Sequence, residues 1–197
     1  MKEVNKDLIR ILEKEIFPLY EHNDIGHNLD HIKYVIERSL MFAKSVSDIN
    51  VDMVYAIAAF HDVGVYIDRD NHEKVSAEIM TKTEWLKNFF TGEEIVTMAE
   101  AVEDHRASLE YEPRSIYGKI VSSADRNVSI DLPLVRTFTF RMKLKPGSPM
   151  EEILEESRKH LINKFGTNGY ASEKMYFDDE EYKIFLENIA SLVNDKE

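Results

Sequence analysis

The dipeptide His61-Asp62 closes the most apolar segment of the chain, directly after Ala58-Ala59-Phe60. A carboxylate and an imidazole carried into such surroundings are costly to bury unless something compensates them, and a bound cation would compensate both. A solitary His-Asp pair is more often a capped helix end with a hydrogen-bonded imidazole. This pair has company. His31 stands near the start of the preceding helical segment, and Asp125 follows Ile120-Val121-Ser122-Ser123-Ala124, small and apolar residues that should turn it inward. Antiparallel helices would bring His31, His61, Asp62 and Asp125 together. Two imidazoles and two carboxylates suit Mn, Fe, Co, Ni or Zn better than Ca or Mg, which prefer all-oxygen shells. The chain has no cysteine, so thiolate ligands and a disulfide framework are excluded, and any metal must be held by His, Asp or Glu.

The elements that must position these residues read as helices throughout. Leu8, Ile11, Leu12, Ile16 and Leu19 mark a first helix, and Ile32, Val35, Ile36, Leu40 and Ala43 share one face of a second, from His31 to Val46. Val51 to Val63 is almost continuously apolar, as expected of a helix buried on all sides, with Gly64 placed to end it. Asn71 is expected to cap a helix running to about Phe90. Thr91 and Glu94 form a capping-box pattern for the next, which should end near Arg106. A further helix is expected from about Pro113 to Asn127. Ser148-Pro149-Met150-Glu151 combines a capping-box pattern with proline at the first helical position. Asp178 and Glu181 should open the last helix. Val135 to Leu144 fits a short strand or an irregular helix, with helix preferred. Asn163 to Phe177, with Gly166, Asn168 and Gly169 as turn residues, reads as the longest loop. The expected fold is therefore all-α.

Length and charge narrow the function classes. A chain of 197 residues suggests one domain that needs no staples, and the scarcity of glycine (7) and proline (5) argues for long helices. The net charge of −12 repels nucleic acid and anionic membranes at long range, so neither is expected as a partner. A polyanionic substrate would need a metal or a local basic patch to receive it. No apolar run approaches the ~20 residues of a membrane span. The segment Met1 to Asp7 has no apolar core and no small-residue cleavage site, so cytoplasmic residence is the expectation.

The segments Asn28-Leu29-Asp30-His31-Ile32-Lys33-Tyr34-Val35, His61-Asp62-Val63-Gly64 and Lys119-Ile120-Val121-Ser122-Ser123-Ala124-Asp125-Arg126, in that order, resemble the HD-domain metal-dependent phosphohydrolases. The likeness covers about Asp24 to Asn127. It implies an HD-domain helical bundle of about seven to nine helices. Residues 24–127 would form the metal-binding core of a single domain, and 128–197 a helical C-terminal extension. It assigns metal roles to His31, His61, Asp62 and Asp125. It also gives Asp62 a catalytic role, because the family commonly uses this aspartate to orient the attacking water as well as to bind metal. Some subfamilies hold a second metal, or contact phosphate, through histidines placed like His72 and His105, whereas others use one ion. Relatives often begin the first motif with His-Asp. Here Asn28 follows His27, which leaves His27 between a substrate-binding role and an exposed cap.

The implied reaction is hydrolysis of a phosphate ester or anhydride of a nucleotide or related small phosphorylated metabolite. Arg106, Lys119 and Arg126 are candidate substrate cations, each with a surface ion pair as the alternative. The stretch from Leu132 to Met150 carries Arg136, Arg141, Lys143 and Lys145 and no acid, so it is a candidate lid or phosphate-facing rim, with a solvated loop or an oligomer contact as the alternatives, and a homodimer is left open. His22 and His160 are expected on the surface. No Gly-rich phosphate loop and no Gly-x-Ser-x-Gly elbow is present, which disfavours an NTP-driven motor or a serine hydrolase. Two other classes remain: a non-catalytic ligand-binding or signalling module on the same fold, and a diiron oxygenase.

Overall fold

A computed structural model of the chain describes residues 3–24, 26–126, 128–166, 168–173 and 175–194. Among them are nine helices of nine residues or more, one single-turn helix, two 3-10 helices and no strand. Among the described residues no helix is long and apolar enough to cross a membrane. The chain divides into two compact units, Met1–Asp125 and Arg126–Glu197.

The first unit is built around α3 (Val51–Phe60), in which Val51 and every residue from Met53 to Phe60 are buried. It packs against α1 (Lys6–Glu15), α2 (Leu29–Ala43), α4 (His72–Lys82), α5 (Gly92–Glu103) and α6 (Ile116–Ala124). Side-chain caps fix several starts: Asn28 accepts from the His31 N–H, Thr91 and Glu94 form the expected capping box, and Ser115 accepts from Gly118. These caps satisfy amides that a helix start would otherwise leave without a partner.

The helix ends depart from expectation where backbone geometry intervenes. α1 stops at Glu15 and continues as a 3-10 helix, Phe17–His22, because Pro18 in its first turn lacks an N–H. α3 ends at Phe60, four residues before Gly64, so His61 and Asp62 lie in the turn after the helix. Gly64 serves another purpose. A β-carbon there would lie 2.8 Å from the His72 carbonyl oxygen and 2.8 Å from Val75 Cβ, so only glycine lets this turn rest on α4. Its N–H donates to Ser76 Oγ at 2.9 Å. Asn71 makes no side-chain cap to α4, its Nδ2 donates to Asp68 Oδ2, and α4 gives way after Lys82 to a 3-10 turn, Glu84–Asn88. α6 ends at Ala124; Asn127, to which it was expected to run, lies outside the described residues.

The second unit comprises α7 (Asp131–Leu144), α8 (Met150–Phe165), the single turn α9 (Tyr170–Glu173) and α10 (Glu180–Asn194). It has its own core of Leu161, Phe165, Ala171, Tyr182, Phe185, Ile189 and Val193. The Val135 to Leu144 stretch is helical, and Gly147, with φ +88, turns the chain from α7 into α8. Ser148 does not cap α8. Pro149 takes the cap position in extended conformation, one residue later than expected. α8 continues through Phe165 and α9 follows, so the expected long loop is broken into short pieces. Asp179, rather than Asp178, accepts from the Tyr182 N–H at the start of α10.

Candidate metal centre

The four residues singled out first converge within the first unit. His31 comes from the first turns of α2, His61 and Asp62 from the turn after α3, and Asp125 from the C-terminal end of α6. His31 Nε2 lies 3.0 Å from Asp125 Oδ1 and 3.6 Å from Asp62 Oδ2. His61 Nε2 lies 3.3 Å from Asp62 Oδ2 and 3.8 Å from Asp125 Oδ1. His61 and Asp62 are buried, and the His31 side chain is 10% exposed.

The other carboxylate oxygen of Asp62 faces a second group. Its Oδ1 lies 3.3 Å from His72 Nε2 and 3.4 Å from His105 Nε2, and the two Nε2 atoms are 3.3 Å apart. His72 opens α4, and buried His105 follows the end of α5. The four histidines and two aspartates thus form two donor groups that meet at one carboxylate.

The donor chemistry fits metal ions. Two donors on one ion, each about 2.1 Å from it, lie about 3.0–3.4 Å apart at octahedral or tetrahedral angles, close to the separations here. His61 Nδ1 donates to the Ala58 carbonyl (2.8 Å), His72 Nδ1 to that of Arg69 (2.8 Å) and His105 Nδ1 to that of Val102 (2.6 Å). Each bond fixes the tautomer that turns the Nε2 lone pair towards the centre. His31 Nε2, His61 Nε2 and Asp62 Oδ1 are buried without a hydrogen-bond partner, a costly arrangement that ligation would relieve. Without an ion the groups polarise one another. Burial opposes charge on His61, but the carboxylates of Asp62 and Asp125 overcome it and raise its pKa well above the usual value. Burial likewise opposes charge on Asp62, yet His61, His105 and His31 hold it well below the ordinary carboxylate range. Burial and then His105 lower the pKa of His72.

The remaining candidates are distributed unevenly. His27 sits close by, its ring centroid 6.0 Å from that of His31 and 6.4 Å from that of His72. Arg106 lies beside the second group, donating to the Asp70 carbonyl (2.8 Å) and pairing with Glu73 (3.1 Å). Lys119, six residues before Asp125, pairs with Glu112 at 2.5 Å. Arg126 belongs to the second unit. It is buried, donates to the Ala171 carbonyl at 3.2 Å, and its guanidinium carbon lies 5.1 Å from the Tyr182 ring centroid. Arg141 and Lys145 pair with Glu156 of α8. His22 and His160 are exposed.

Sequence reasoning missed the groups around this cluster. The Asn23 side-chain amide donates to the carbonyls of both Asp62 (3.0 Å) and His27 (3.1 Å). Asp24 receives the His27 ring at 2.8 Å and bonds Arg69. Asp104, fully buried, takes Arg114 in a two-nitrogen contact of 2.8–3.1 Å and so anchors the turn that presents His105. Asp24 stands three residues before His27, the only local hint the sequence offers.

The HD domain model matches residues 28–127, just over half the chain and the whole span from His31 to Asp125. The chain belongs to the HD-domain family. Comparison with curated proteins gives no match. Among solved structures, the chain is similar to a predicted HD superfamily hydrolase from an uncultured Thermotogales bacterium, with 17% identity and a TM-score of 0.49 over 80% of this chain and 87% of that one.

Proposed function

We propose that the protein is a metal-dependent phosphohydrolase that cleaves a phosphate ester or anhydride of a nucleotide or a related small phosphorylated metabolite. The observation that carries this reading is the division of Asp62, with one oxygen facing His31, His61 and Asp125 and the other facing His72 and His105. His31, His61, Asp62 and Asp125 would hold one ion, and Asp62, His72 and His105 a second. When bound, divalent metal supplies Lewis acidity towards phosphoryl oxygens and acidifies water.

The chain's own residues do the rest. Carbonyl-anchored imidazoles keep their Nε2 atoms aimed inward, so little reorganisation is needed as charge develops. Asp62, wedged between the groups, holds both sets at a fixed separation. Arg106, partly exposed beside His72, offers a planar guanidinium suited to phosphate oxygens. The anionic surface would then be no obstacle, because bound divalent ions would supply positive charge at the site.

The test is ion content by elemental analysis after Mn or Fe loading, followed by phosphate release across a panel of nucleotides and sugar phosphates. Metal-dependent release from at least one class of substrate is expected. A fully loaded, folded protein that hydrolyses none of them overturns the reading. Oxygen consumption by an iron-loaded protein without phosphate release would favour the oxygenase alternative.

A further inference from the structure

Asp104 is fully buried and stands directly before His105, a donor of the second group. A buried carboxylate is costly unless it is paired and hydrogen-bonded, and here both oxygens are engaged. Arg114 Nε lies 3.1 Å from Asp104 Oδ1 and 3.0 Å from Oδ2, and Arg114 Nη2 donates to Oδ1 at 2.8 Å. The Arg114 backbone N–H donates to Oδ2 at 2.7 Å, and the Tyr111 hydroxyl to Oδ1 at 3.2 Å. The same guanidinium reaches back into α5, where Nη2 donates to the Glu100 carbonyl at 3.1 Å and to Glu103 Oε2 at 2.6 Å.

These contacts fall where α5 is weakest by its own chemistry. Glu100, Glu103 and Asp104 crowd its C-terminal end, and its last turn has no base. Three anions thus meet the negative end of the helix dipole, and Arg114 supplies the missing positive charge. The last turn also contains Val102, whose carbonyl accepts His105 Nδ1–H at 2.6 Å and so aims His105 Nε2 at Asp62 and His72. On the other side, a β-carbon at Gly118 of α6 would lie 3.3 Å from Asp104 Cβ, so Asp104 is pressed against α6 with little room to shift. None of the contacts just described involves His31, His61 or Asp125.

We propose that Arg114 is a positioning residue for the second ion. By locking Asp104 and the end of α5, it fixes His105 against Asp62 and His72 and sets the affinity of that site without contributing to the first. The inference rests on the two-ion reading above and deepens it. It also accounts for a buried ion pair at a helix end, where apolar packing would stabilise the fold as well.

The test is calorimetric titration of Mn into metal-free wild type, Arg114→Ala, Arg114→Lys and His105→Ala, with ion content and circular dichroism on each preparation. His105→Ala marks which binding event belongs to the second group. Arg114→Ala should bind the second ion about 10–100-fold more weakly, the usual cost of losing a group that orients a ligand, and keep the first near wild type. Arg114→Lys keeps the charge but not the planar fork, so its second-ion affinity should fall between the two; if Arg114→Ala does not fold, this variant carries the test. Equal weakening of both ions would reduce Arg114 to a general stabiliser of the fold and overturn the proposal. Wild-type affinity for both ions in the folded variants would overturn it too. A wild type that takes one ion, with the same content in His105→Ala, defeats the two-ion reading itself, and the proposal with it. Ion binding needs no substrate, so each result is independent of whether the protein hydrolyses phosphate.

Discussion

Asp62 is the residue on which both donor groups depend. Its replacement by alanine removes a ligand and a charge from each, so tight metal binding and hydrolysis should both disappear, the latter by at least about 10²–10³-fold, while helicity stays near wild type. Elemental analysis, turnover and circular dichroism on one preparation check this, and wild-type turnover would refute the assignment. His105→Ala should lower the ion content from two per chain towards one, because it removes a donor from the second group only; an unchanged content would reduce His105 to a structural residue. The metal-free centre also predicts a dependence on pH. His61, with its pKa raised above 6.5, contributes stability that is complete below that value and lost as pH rises through the folded pKa. Asp62, lowered from 3.8, contributes above that value and loses its share only as pH falls through the folded pKa. Added Mn should therefore stabilise the protein more at pH 9 than at pH 6, since metal takes neutral imidazole; thermal melts with and without Mn measure the difference, and a larger effect at pH 6 would contradict it. The clustering of His31, His61, Asp62 and Asp125 was legible because apolar helix ends otherwise avoid such side chains. Asp24 and Arg69 were not, because they are 45 residues apart and only the turn after α3 brings them together.

Among the elements, the turn from His61 to α4 does the positioning, and Gly64 is its tightest point. Gly64→Ala would set a β-carbon 2.8–2.9 Å from the His72 carbonyl, Val75 and the Ser76 amide. Overpacking of that kind costs about 1–3 kcal/mol, and relief by shifting α4 would carry His72 away from Asp62. The expected outcome is a lower melting temperature together with weakened binding of the second ion, measured by calorimetric titration. Wild-type values for both would show that the turn is more compliant than its packing indicates. The sequence correctly indicated helices at every apolar repeat, since burial on a 3.6-residue period leaves a plain signature. It misplaced their ends where a local choice overrode the pattern: Pro18 diverts α1 into a 3-10 turn, and Pro149 displaces Ser148 as the residue before α8. Gly64 read as a stop signal, but what it supplies is closeness between a turn and a helix, which no local pattern encodes.

At the scale of the whole molecule, the chain divides into two compact units between Asp125 and Arg126. The second unit has a core of its own, to which Phe165, Tyr182, Phe185 and Ile189 contribute. Arg126 illustrates what sequence adjacency conceals. It follows Asp125, a candidate metal ligand, yet its guanidinium is engaged by Ala171 and Tyr182 inside the second unit. Arg126→Lys should therefore lower stability by about 1 kcal/mol and leave KM for substrate near wild type; a selective rise in KM would restore the substrate role. The single tryptophan, Trp85, packs on Phe60 in the first unit and reports on that unit. At a free-ion concentration about 100-fold above Kd, metal adds roughly 2.7 kcal/mol, so chelation should lower the Trp85 fluorescence midpoint by roughly 10 °C. The measurement that tests the central claim most directly combines this titration with catalysis: metal is stripped with a chelator, Mn is returned stepwise, and bound ion and phosphate release from a nucleotide panel are followed together. Release should be absent from the stripped protein and rise with occupancy of the His31, His61, Asp62 and Asp125 site. Undiminished hydrolysis by the stripped protein, or none by a fully loaded one, would contradict the account.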